Sequence, residues 1–267
     1  MKPLAAMPLA VVRAIRGVFC DIDDTLTSEG RLTARAYAAL ERLRSGGKQL
    51  IPITGRPAGW CDHIARMWPV DAVVGENGAF YFYYDGVRKK LMQRFRYDAA
   101  ARAANRERMA AVRERILREV PGCALASDQL YREADLAIDF CEDVPRLAEA
   151  EVDRIVALMR SAGMTAKISS IHVNGWFGDY DKLGMTRLLM QERYGIDLAS
   201  EQASYLFAGD SPNDAPMFRF FSNSVGVANV ADFGERLSDA PAYVSIGRSG
   251  EGFVEIAELL LGATEWT

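Results

Sequence analysis

No stretch of the 267-residue chain approaches the roughly 20 consecutive apolar residues that a membrane-spanning helix needs, so no membrane partner is expected. Net charge is scarce too. The 32 basic and 36 acidic side chains leave only −4, too little to draw the whole chain to nucleic acid or acidic lipid. Cysteine is sparse and scattered: Cys20, Cys61, Cys123 and Cys141 form no CxxC pair. That spacing speaks against a zinc site or a disulfide framework and for reduced structural thiols in a cytoplasmic protein. The N-terminal MKPLAAMPLAVVRAIRG is broken by two prolines and runs on without a convincing cleavage site, so a signal peptide is not expected. Internal repeats and low-complexity segments are also missing. What remains is nearly half apolar and a quarter charged, the balance of an ordinary globular chain able to bury a substantial core.

The first 80 residues alternate as a parallel sheet with crossover helices would. IRGVFC (15–20) reads as a strand, Leu32, Ala36, Leu40 and Leu43 recur at helical spacing, and LIPIT (50–54) reads as a second buried strand. A helix follows Pro57, then a short strand, DAVV (71–74), ending in the turn-rich GENG (75–78). The pattern then changes. YFYYDGVRKKLMQRFR (81–96) suggests a hairpin turning at Asp85-Gly86, helices are expected at about 98–119 and 145–162, and DLAIDF and TAKISSIHVNG alternate like strands. This composes an antiparallel α+β unit inserted at 82–178, leaving 1–81 and 179–267 as the main α/β unit. From Asp181 the first pattern resumes: a helix to about 194, the strand SYLFAGD (204–210), a helix from near Asp214, strands at SVGVANV and AYVSI, and a final amphipathic helix.

Within this frame, VFCDIDDTLT (18–27) demands explanation. An apolar strand ends in Asp21, Asp23 and Asp24, like charges whose crowding is costly unless something neutralises them. Three other stretches follow strands or open helices: TGR at 54–56, DK at 181–182 and GDSPND at 209–214. In an open parallel sheet, strand C-termini around a switch point converge on one crevice. Asp21 and Asp210, helped by Asp214, supply hard oxygen ligands suited to Mg²⁺, while the Thr54 hydroxyl and neighbouring amides suit phosphate oxygens. Lys182 adds a positive charge. Metal and lysine together neutralise the opening cluster, and the chemistry such groups favour is phosphoryl transfer.

In their order, DxDxT, a threonine after the second strand, a downstream lysine and GDSxND resemble the haloacid dehalogenase superfamily of aspartate-nucleophile phosphatases. The resemblance implies a Rossmann-like α/β core with a mostly parallel sheet. The insertion is similar to the α+β cap of subclass IIB (type C2B), as is Asn77-Gly78-Ala79 at its entrance. GDSPNDAPMF is similar to mannosyl-3-phosphoglycerate phosphatases and, more loosely, to sucrose-phosphate and trehalose-phosphate phosphatases. By motif, Asp21 would be the nucleophile and Asp23 the general acid and base. Asp21, the Asp23 backbone carbonyl, Asp210 and Asp214 would serve Mg²⁺. Thr54, Gly55, Arg56 and Lys182 would hold the phosphoryl group, with Asn213 and Ser211 supporting the loop. Asp24 is left as a turn residue, where many relatives carry glycine.

The implied activity is a Mg²⁺-dependent phosphomonoesterase acting on a small phosphorylated metabolite such as a sugar phosphate or glycosyl-phosphoglycerate. A phosphosugar mutase of the same fold is the alternative, and an RNA- or polyanion-binding module a more distant one. Several residues admit two readings. Arg56 would contact phosphate or sit in a structural ion pair. The basic hairpin (Arg88, Lys89, Lys90, Arg94, Arg96) is a solvated face, or else carries one or two side chains that meet a second anionic group on the substrate. His63 reads as structural. His172, Asn174 and Trp176 lie where the insertion returns to the core and are candidates for substrate contact.

Overall fold

A computed structural model describes residues 1–169 and 171–262 of the chain. The main strands, in chain order, are β1 (Lys2–Pro3), β2 (Gly17–Cys20), β3 (Gln49–Pro52), β4 (Val73–Gly75), β5 (Phe80–Asp85), β6 (Lys90–Phe95), β7 (Ala124–Leu125), β8 (Leu136–Asp139), β9 (Thr165–Ile168), β10 (His172–Trp176), β11 (Tyr205–Gly209), β12 (Ser224–Gly226) and β13 (Tyr243–Val244). The main helices are α1 (Ala34–Ser45), α2 (Ala58–Met67), α3 (Ala99–Glu119), α4 (Glu149–Ser161), α5 (Lys182–Tyr194), α6 (Ala215–Phe220) and α7 (Ser249–Gly262).

Six strands form one sheet in the order β1-β13-β12-β11-β2-β3, every pair parallel. The α/β class read from the alternation of elements is the class observed. In β2, Val18 and Cys20 enter one apolar cluster and Phe19 enters the other, as strand alternation requires. The first cluster joins the sheet to α1, α2 and α7, the second to α5 and α6. Layers on both faces explain why the central strands are apolar throughout.

The insertion builds a second sheet in the order β9-β10-β8-β7, antiparallel, with its own core under α3 and α4 that includes Ile116, Ile138, Ile155 and Val173. TAKISSIHVNG, which alternates like a single strand, is instead two strands that pair back on each other, Thr165 opposite Trp176 and Ile168 opposite Val173. The hairpin departs further from expectation. It does not join this sheet. β5 pairs with β4, and Phe80 and Phe82 are fully buried in the core of the main unit. Two stacked aromatic rings at 4.2 Å outweigh the basic residues further along the hairpin. At the N-terminus, Lys2–Pro3 extends the main sheet beside Tyr243–Val244. No helix among the described residues is long and apolar enough to cross a membrane. Burial pushes the Cys20 and Cys61 thiols well up, as for inert core residues.

Candidate active site

β2 is flanked by β3 and β11, so the turns after all three open on the same edge of the sheet. Asp21 follows β2, Thr54 follows β3 and Asp210 follows β11. Asp21, Asp23, Gly55, Arg56, Asp210, Ser211 and Asn213 line one cleft on this edge. The wall opposite belongs to the insertion, chiefly Ser169, His172 and Asn174.

Asp21, Asp210 and Asp214 each bring one carboxylate oxygen within 4.8 Å of the others, all three residues buried. Lys182 is the first residue of α5, set in place by Asp181, whose side chain caps the helix through the Gly184 N–H at 2.7 Å. Its Nζ lies 2.7 Å from Asp21 Oδ1 and 3.0 Å from Asp214 Oδ1. Burial alone would lower the lysine, but Asp21 and Asp214 hold it above its ordinary value, so it stays charged. Burial pushes Asp21 up to about 7; Lys182 opposes this, while Asp214 and Asp23 add to it. Asp210 is driven well above the usual carboxylate range by burial and by Asp214. Three carboxylates against one ammonium leave a buried excess of negative charge. Hard oxygen donors with that excess fit a divalent cation of the Mg²⁺ type.

Asp23 faces another way. Its carboxylate receives Arg56 Nε at 3.0 and 3.1 Å and Nη2 at 2.9 Å. The same guanidinium lies 3.4 Å from Glu142 and 3.8 Å from Asp128, both of the insertion, and over the Trp60 ring. Of the two readings of Arg56, the structure therefore has the ion pair: its donors face carboxylates. Thr54 is fully buried beneath the cleft, its hydroxyl accepting the Arg56 N–H at 3.0 Å. At Gly55 a Cβ would stand 3.2 Å from the Asn77 amide nitrogen, so a side chain there would require Asn77 to give by a few tenths of an ångström. Asp24 adopts φ of +58°, the left-handed region that glycine and short polar residues tolerate.

Sequence reasoning missed Asn229. Its Nδ2 donates to the Asp24 carbonyl at 3.0 Å and to Asp210 Oδ2 at 3.4 Å, and its Oδ1 accepts the Ser249 N–H at 2.9 Å. One signal was available. SVGVANV is a strand only to Gly226, so Asn229 follows a strand C-terminus just as Asp21 and Asp210 do. The basic hairpin brings nothing to this cleft. Arg94 forms a two-pronged pair with Glu192 on α5, with contacts between 3.1 and 3.3 Å. Arg88 sits by Asp85 at 3.7 Å.

Residues 18–103 match a family model described as haloacid dehalogenase-like hydrolase. Over 252 residues, 92% of this chain and 96% of the relative, the sequence is 27% identical to a phosphoglycolate phosphatase of Methanospirillum hungatei. Among solved structures, a Thermoplasma acidophilum protein superposes with a TM-score of 0.67 at 23% identity, covering 92% of this chain and 99% of that one. The sucrose-phosphatase of Synechocystis, solved with sucrose and phosphate, superposes with a TM-score of 0.63 at 18% identity, covering 92% of this chain and 98% of that one.

Proposed function

We propose that the chain, a haloacid dehalogenase-like phosphatase, hydrolyses the phosphate ester of a small metabolite by way of an aspartyl-phosphate on Asp21. The observation that carries this reading is Lys182 bridging Asp21 and Asp214 inside a buried carboxylate cluster. A simple binder of phosphate has no use for an excess of carboxylates there. A phosphoryl-transfer site does, because one of them attacks and the others balance a metal.

In this mechanism an Asp21 carboxylate oxygen forms a bond to phosphorus as the ester P–O bond breaks. Asp23 gives its proton to the departing alcohol oxygen. Asp23 then takes a proton from the water that attacks the aspartyl-phosphate, which releases phosphate and restores Asp21. Lys182 opposes the effect of burial on Asp21, favouring its ionised form, and faces the phosphoryl oxygens. Asp21, Asp210, Asp214 and the Asp23 backbone carbonyl would hold Mg²⁺, which when bound supplies positive charge to the transferring group. Gly55, Thr54, Ser211 and Asn213 shape the phosphoryl pocket. Arg56 holds Asp23 over the cleft. Delivering the proton requires Arg56 to release one Asp23 oxygen, and Glu142 and Asp128 stand ready as alternative partners. The inserted unit, as a cap, covers the reacting groups and limits access of bulk water.

The substrate class proposed is a sugar phosphate or a phosphorylated hydroxy acid, in keeping with relatives named for sucrose phosphate and phosphoglycolate. The test is phosphate release from a panel of both kinds, with Mg²⁺ and with EDTA, by wild type and Asp21→Asn. Metal-dependent release that disappears in the variant supports the reading. Release that survives Asp21→Asn overturns it.

A further inference from the structure

Beside the catalytic cleft lies a second cavity of about 180 Å³, and Asn213 lines both. Five buried side-chain polar atoms among the described residues have no well-formed hydrogen bond, although Arg102 Nε and His172 Nε2 lie beside carboxylates, 3.5 Å from Glu133 and 2.9 Å from Glu142. Three of them, Asn77 Nδ2, Trp176 Nε1 and the Tyr180 hydroxyl, belong to residues that line this one cavity. Trp176 is 1% exposed and Asn77 4%. An unmet buried donor costs about 1–3 kcal/mol, so three around one space mark a place where something supplies acceptor oxygens.

The same wall carries a cation. In the β9–β10 pairing Lys167 lies opposite Asn174 and Thr165 opposite Trp176, which puts Lys167, Asn174 and Trp176 on one face of the sheet. Asn174 lines the catalytic cleft on that face, while Lys167 and Trp176 line the second cavity. Lys167 is half-buried and makes no ion pair with any described residue. The other lysine of the wall, Lys182, is committed to Asp21 and Asp214. Two acids also border the space. Asp181 is engaged in capping α5, and Asp179 is exposed.

We propose that this cavity is the leaving-group subsite and takes a carboxylate carried by the substrate. Lys167 supplies the charge, and Asn77, Trp176 and Tyr180 supply hydrogen bonds. The substrate is then the phosphate ester of a small hydroxy acid. This assignment rests on the phosphatase reading, deepens it, and moves the second anion site from the basic hairpin to the inner face of the cap sheet. A neutral sugar leaves Lys167 without a counter-charge, which is why a carboxylate is favoured here.

The test compares 2-phosphoglycolate with ethyl phosphate, which differ in the carboxylate. Titration calorimetry on Mg²⁺-loaded Asp21→Asn protein, where neither ligand turns over, reads binding alone. The carboxylated ester should bind about tenfold tighter, a difference of about 1.4 kcal/mol. Adding Lys167→Met should erase that preference without weakening ethyl phosphate, whereas Lys167→Arg should keep it. Trp176→Phe, which removes one N–H donor, should reduce it in part. Equal binding of the two esters, or a preference that survives Lys167→Met, overturns the assignment. Turnover of p-nitrophenyl phosphate by wild type is a separate readout. Its absence would sink the phosphatase reading while leaving the calorimetric result intact.

Discussion

Asp23 and Asp24 are neighbours of the same type, and the fold puts them to different uses. Asp23 points its carboxylate into Arg56 over the cleft, while Asp24 supplies a left-handed turn and a carbonyl for Asn229. Asp23→Asn should lower kcat by about 10²–10⁴, the range for loss of a general acid and base, with the fold intact. Asp24→Gly should leave kcat within about twofold, because glycine meets the same backbone requirement at less steric cost. Steady-state kinetics on the two variants checks both. Asp21 adds a prediction about pH. Its carboxyl is raised to about 7 in the folded chain from an ordinary value of 3.8. A raised acid contributes stability that is full below its ordinary value and is lost as pH rises through the folded one. Metal-free protein should therefore lose melting temperature between about pH 4 and 7 through this group. Mg²⁺, which favours the ionised form, should restore most of that loss at pH 8. A melting series with and without the metal decides it.

At the scale of elements, the point of interest is where the two connections to the cap meet. Gly78 sits at φ of +107°, and a Cβ there would overlap the Asp181 carbonyl and come within 2.9 Å of the Lys182 amide nitrogen. That contact seats the N-terminus of α5, and hence Lys182. Gly78→Ala should cost on the order of 2–3 kcal/mol from backbone strain and the clash together, with kcat falling because Lys182 moves. An ordinary cap makes a useful comparison. The Thr33 hydroxyl accepts the Ala36 N–H at 3.2 Å at the start of α1, so Thr33→Ala should cost about 1 kcal/mol and leave kcat unchanged. Chemical denaturation paired with kinetics separates the two cases.

Across the whole molecule, core and cap are joined by a buried carboxylate. Glu76, fully buried, accepts the N–H of Ala58 at 2.9 Å at the start of α2, and those of Glu133, Ala134 and Asp135 of the cap at 2.9, 2.6 and 3.2 Å. Burial, with Asp135 behind it, pushes this carboxyl up to about 8, against the pull of Arg132 and the Glu133 and Ala134 amides. Beside it, Arg132 holds Asp128 and Asp135 and donates to the Gly55 carbonyl at 2.9 Å, a second tie from cap to catalytic loop. Glu76→Ala would strand several buried N–H groups and should cost at least about 3 kcal/mol. Hydrogen exchange at residues 133–135 should rise more than exchange in the β2–β11 strands. Equal change throughout would mean that Glu76 supports the fold in general and does not tie the cap in particular.

Much of this was legible from the chain because it is written locally. Asp21, Thr54, Lys182 and Asp210 each follow a strand or open a helix, and strand alternation with a parallel sheet brings such ends together whatever the details of packing. Asp24 as a turn residue was equally readable. Asn229 was not, because its role depends on a strand stopping at Gly226 and on a helix start, Ser249, arriving beside it. The destination of Arg56 was undecided for a similar reason: its partners Asp23, Asp128 and Glu142 lie 33 to 86 positions away in sequence, and only the docking of cap on core selects among them. The basic hairpin misled because charge is conspicuous in a sequence while burial is not. Phe80 and Phe82 anchored it to the core, and Arg94 found Glu192. The order of motifs by itself determined the class of fold and the set of groups at the strand ends, since both follow from short-range patterns. Tertiary structure alone decided which face of the cap sheet looks into the cleft. A one-residue shift in strand pairing would turn Lys167 and Trp176 away, and that pairing is set by packing against residues distant in the chain.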